Sequence, residues 1–76
     1  MPTFFTIDGI RICLYFNDHN PPHFHALFAE YELIIGIKTL EIIEGDLPKK
    51  QLKKVEKFAK ENQDLLMEIW NQLSEN

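Results

Sequence analysis

Cysteine is almost missing from this chain: Cys13 is the only one in 76 residues. A single thiol excludes an internal disulfide, so nothing covalent staples the fold, and a reducing cytoplasm is the expected setting. Long apolar runs are missing too. No window approaches the roughly 18 apolar residues of a membrane span, and the start, Met-Pro-Thr-Phe-Phe-Thr-Ile-Asp, has neither a basic n-region nor an extended apolar stretch, so neither export nor membrane insertion is expected. No repeat, low-complexity tract or linker interrupts the sequence. Positive charge is scarce outside one segment. Lys49, Lys50, Lys53, Lys54, Lys57 and Lys60 face only Glu56 between positions 49 and 60, a net +5, which leaves −9 for the rest and −4 in total.

What is present suffices for one core. Apolar residues make up 45% of the chain and aromatics 12%, too much for a disordered segment, and the length allows a single domain over residues 1–76. Ile10, Ile12, Leu14 and Phe16 alternate with Arg11, Cys13 and Tyr15, the period of a strand buried on one face. Thr3 to Ile7 forms a shorter strand before it, and Asp8-Gly9 is the signal of a two-residue hairpin turn with φ > 0 at both central positions. Asn17 to Pro22 turns the chain. Phe24, Ala26 and Phe28, alternating with His23, His25 and Leu27, predict the next strand; Tyr31 to Ile37 and Leu40 to Ile43 follow as a fourth and a short fifth.

Beyond Gly45 the period becomes helical. Leu52, Val55, Phe58 and Ala59, then Leu65, Leu66, Ile69, Trp70 and Leu73, mark the apolar stripe, with Asp46 or Leu47 near the N-cap and Pro48 at about the first helical position. Asn62 divides the stripe into two helices, the alternative being one kinked helix. The expected fold is α+β: an antiparallel meander packed against a C-terminal helical pair.

Register gives the second hairpin a chemistry. Pairing Leu14 with Phe24, Ile12 with Ala26 and Ile10 with Phe28 keeps every apolar residue on the core side, so Tyr15 faces His23 and Cys13 faces His25 on the other side. The loop adds Asn17, Asp18, His19 and Asn20. Three readings follow. His23 and His25, two apart on one strand face, reach a common divalent ion such as zinc, with His19, Asp18 or Cys13 as a third ligand, although His-x3-His-x-His is not a standard zinc signature. Without a metal, the same histidines, with Asp18 and Tyr15 beside them, pass a proton while Arg11 or a lysine stabilises a phosphoryl oxyanion, which suits ribonuclease action. In a purely structural role, Asp18 and Asn17 cap turns, Pro21-Pro22 stiffens the loop and the histidines donate to carbonyls.

On a helix, Lys49, Lys53, Lys57 and Lys60 form one ridge, with Lys50 and Lys54 alongside. RNA, DNA or an acidic protein would bind it, with a salt dependence set by the phosphate contacts. The competing reading is the solvated outer face of an amphipathic helix, favoured because no aromatic residue interleaves to stack a base.

The segment Tyr15 to Ala26, Tyr-Phe-Asn-Asp-His-Asn-Pro-Pro-His-Phe-His-Ala, resembles that of a bacterial family of small proteins catalogued as domain of unknown function 4160. The resemblance extends to the Met-Pro-Thr start, Tyr31-Glu32, Thr39-Leu40-Glu41, Glu44-Gly45, Leu47-Pro48 and the closing helix with Trp70. It implies a small prokaryotic or phage-borne cytoplasmic protein, often encoded beside another short protein in arrangements that resemble toxin–antitoxin pairs. The family motif falls on Asn17, Asp18, His19, Pro21, Pro22, His23, Phe24 and His25, and omits Cys13. The leading expectation is therefore a component of such a two-gene module, binding a cognate small protein, and nucleic acid as well, through its histidine face. A histidine- or metal-dependent ribonuclease and a non-catalytic adaptor are the alternatives, with a second copy of the chain as a further candidate partner.

Overall fold

The structure is a computed structural model that describes residues 3–15 and 18–74. Five strands come first: β1 Thr3–Ile7, β2 Ile10–Leu14, β3 His23–Phe28, β4 Tyr31–Gly36 and β5 Ile42–Gly45. Each pairs antiparallel with its sequence neighbours, so the sheet order is β1-β2-β3-β4-β5, the expected meander. Asp8 and Gly9 make the first turn at φ 47° and 81°, the left-handed geometry their sequence calls for. The second hairpin has the register that its apolar alternation demands, Ile12 opposite Ala26 and Cys13 opposite His25. Phe16, expected on the core face, and Asn17, expected in the turn, lie outside the described residues, as do Met1 and Pro2.

Ile10, Ile12, Leu14, Phe24, Ala26, Leu33 and Ile35 all point to one face and are fully buried. Two helices cover it, α1 Lys49–Glu61 and α2 Gln63–Ser74, contributing Val55, Ala59, Leu66 and Trp70 to the same core. Pro48 serves as the N-cap of α1, one place earlier than its fixed φ had suggested. Asn62 alone separates the helices. Its backbone N–H and its side-chain Nδ2 both donate to the Phe58 carbonyl, at 3.0 and 2.9 Å. Gln63 then ties this junction to the sheet, its Nε2 donating to the carbonyls of Ile37 at 2.7 Å and Lys38 at 3.0 Å. Leu65, assigned to the apolar stripe beside Leu66, is exposed instead, because the turn at Asn62 rotates it away from the sheet.

β5 starts at Ile42, two residues later than the apolar run began. Leu40 sits in a turn at φ 61°, and a bulge between Ile34 and Ile35 lets Ile43 fall outside the ladder. Gly45 closes this strand at φ 82°, where an added Cβ would overlap the Glu32 carbonyl oxygen. Gly45→Ala is expected to cost more than about 2 kcal/mol, from left-handed strain and the lost rung to Leu33 together, read as a lower urea midpoint. Among the described residues, no helix is long and apolar enough to cross a membrane.

Candidate metal centre

The face away from the helices is built in rows, because alternate residues of neighbouring strands align. One row crosses the whole sheet, Phe4, Cys13, His25, Ile34 and Glu44. Glu32 lies diagonally from His25 in the next row, within side-chain reach. Its Oε2 accepts from His25 Nδ1 at 2.9 Å. His23, two residues before His25, shares this face, and its Nδ1 donates to the Pro21 carbonyl at 2.7 Å.

With both Nδ1 atoms engaged, both Nε2 atoms turn to the same carboxylate. Asp18 Oδ2 lies 2.9 Å from His23 Nε2 and 3.6 Å from His25 Nε2. One ligand atom from each of Asp18, His23 and His25 falls within 4.8 Å of the others. Bonds of about 2.05 Å in tetrahedral geometry set ligand atoms about 3.3 Å apart, so a zinc site would need the widest pair to close by about 1.5 Å and the 2.9 Å pair of Asp18 and His23 to open slightly. The carbonyl of Pro21 is only an acceptor, so a neutral His23 ring directs the lone pair of Nε2 at the Asp18 carboxylate. Two electron-rich atoms at 2.9 Å require a cation between them, a proton or a metal ion.

The Asp18 carboxyl is poised as an anion. Burial alone would push it up, but the His19 backbone N–H, at 3.0 Å from Oδ1, and the His23 and His25 imidazoles together hold it below the ordinary carboxylate value. His19, expected as a ligand, stands in solvent with its side chain 89% exposed, touching Asp18 Oδ1 at 3.2 Å. The loop residue brought among the histidines is Asp18.

Several neighbours differ from expectation. His23 was placed on an open face, yet it is only 5% exposed, because the ring of Trp70 packs against it at 5.1 Å between centroids. Tyr15, expected opposite His23, lies just past the end of β2 and packs edge-on against His25 at 4.8 Å. Burial is the main reason its hydroxyl titrates above the ordinary phenol value, which makes it a hydrogen-bond donor rather than a base at neutral pH. Cys13 faces His25 but is fully buried, and that burial pushes its thiol up, against thiolate ligation.

The three groups open on a cleft of about 220 Å³ whose far wall is Ile34, Ile43 and Glu44. The lysine ridge is elsewhere. Lys49, Lys53, Lys57 and Lys60 are exposed, and Lys54 Nζ meets Asp8 Oδ2 at 3.1 Å, at the end of the sheet opposite the histidine loop. Arg11 is exposed on the histidine face, opposite Thr6 and Leu27. Glu32 and Trp70 were missed from sequence. Extending the register through the Ala29-Glu30 turn puts Glu32 beside His25; no local signal brings Trp70 to His23.

The model of a family described as a domain of unknown function, DUF4160, matches residues 9–71. No curated protein and no solved structure matches.

Proposed function

This chain belongs to the DUF4160 family, and we propose that its working part is a divalent transition-metal centre, zinc by preference, held by Asp18, His23 and His25. The observation that carries this reading is the shared arrangement of the two imidazoles. Each donates its Nδ1–H to an oxygen, Pro21 or Glu32, and each aims Nε2 at the same carboxylate. Outer partners of this kind fix the tautomer and ring orientation of metal-binding histidines. Three protein ligands leave a coordination position facing the cleft, the pattern of catalytic rather than structural zinc, and a water there would be activated for hydrolysis.

The cleft also bears on substrate. Glu44 lies at its wall, and among the described residues no lysine or arginine lines it, so its charge favours a substrate without phosphates over the ribonuclease alternative. The proposed setting is a cytoplasmic component of a toxin–antitoxin-like pair, with the histidine face turned to the partner. Cobalt titration of tag-free protein, stripped with chelator, tests the centre. One equivalent should bind with the visible absorption of four- or five-coordinate cobalt, and zinc should displace it. Absence of saturable binding of either ion would remove the proposal.

A further inference from the structure

Beside the histidine cleft the sheet ends in an open edge. β5 is the last strand, its outer side is unpaired among the described residues, and all four of its residues are exposed. Exposed edges are usually guarded by lysine, proline or a covering element. Here the edge instead presents Ile42 and Ile43, 47% and 48% exposed. A groove of about 380 Å³ runs beside it, with Pro21, Pro22, Ile42 and Ile43 as its apolar walls. Pro21 and Ile43 also line the histidine cleft, so the two hollows adjoin.

We infer that the β5 edge and this groove seat an extended peptide segment of basic and apolar residues, which adds to the sheet as a sixth strand beside Ile42–Gly45 and places an apolar side chain between Pro21, Pro22 and Ile42. In strand addition the main chain supplies affinity and a side-chain pocket supplies selection, and both elements adjoin here, the groove crossing the end of the sheet from Pro21 and Pro22 past Gly36 to the start of β5. Charge decides the occupant. Glu41, Glu44 and Asp46 flank the edge and are exposed, and among the described residues Lys38 is the one cation lining the groove, beside Glu41. A basic segment is complementary to that surface. RNA would be repelled, and a second copy pairing β5 with β5 would oppose glutamates to glutamates. The inference is independent of the metal centre, since no metal ligand belongs to the edge or the groove walls.

The probe is a fluorescein-labelled hexapeptide of alternating leucine and lysine with acetyl and amide ends, titrated by anisotropy in the presence of chelator. Saturable binding is expected, with backbone amide shifts confined to Ile42–Gly45 and the groove. Replacing the lysines by glutamates, or methylating alternate backbone nitrogens, should each weaken it at least about tenfold, since like charges and lost ladder bonds both act. Ile43→Lys should weaken it comparably with unchanged melting temperature, because that side chain is half exposed. No saturable binding, equal affinity for the methylated peptide, or shifts on the lysines of α1 would overturn the inference. So would self-association of the free chain that Ile43→Lys abolishes, which would give the edge to a second copy. Because chelator is present throughout, failure here leaves the cobalt titration untouched, and failure there leaves this binding in place.

Discussion

Alanine at Asp18, His23 or His25 is expected to lower zinc affinity more than about 100-fold, and alanine at His19 to change it less than about threefold. The first figure follows because loss of a ligand should exceed the ~10–100-fold cost of losing an outer-shell partner. Glu32→Gln should fall inside that outer-shell range, since the amide keeps the shape and weakens the hold on His25 Nδ1. The second figure follows from exposure: the His19 side chain is 89% exposed, and surface changes rarely exceed ~0.5 kcal/mol, a factor of about two. Competition titration against a chromophoric chelator measures all five proteins. Equal losses at His19 and Asp18 would mean that the loop rearranges on binding and that the ligand set read from the structure is wrong.

Trp70→Ala should remove about 3–5 kcal/mol of stability, the range for truncating a large buried aromatic. A 76-residue domain has roughly 4–11 kcal/mol in total, at 0.05–0.15 kcal/mol per residue, so this variant should lose more than about a quarter of its stability and, at the low end of that range, unfold at 25 °C. Leu65→Ala, five residues earlier on the same helix but 43% exposed, should stay within about 0.5 kcal/mol. Urea unfolding followed by circular dichroism checks the contrast. Similar losses at the two positions would contradict the orientation of α2. A Trp70→Phe variant should recover most of the stability and keep an aromatic wall against His23.

The sheet was legible because each strand declares its own face. A slip of one residue would send Ile12 or Ala26 to solvent, so the alternation of β2 and β3 leaves one register. The same logic placed His25 correctly opposite Cys13. It could not place His23. Alternation assigns that residue to the outer face, and it lies there, but its burial comes from a tryptophan 47 positions later that only helix packing delivers. Choosing Asp18 over His19 was likewise beyond pattern reading, because neighbouring loop residues have no fixed period and their directions depend on local backbone geometry. Leu65 and Leu66 show a related limit: both fit a helical stripe, and the break at Asn62 decides which is buried.

The meander has a consequence for the order of assembly. Asp18, His23, His25 and Glu32 all precede Gly45, and two consecutive hairpins suffice to bring them together, with no long loop to close. In a chain made from its amino end, these groups emerge from the ribosome before α1 and α2 exist, and Trp70 follows last. Trp70 thus packs onto His23 after hairpin pairing has already drawn the constellation together, and an ion captured by the nascent sheet would be present when that ring arrives.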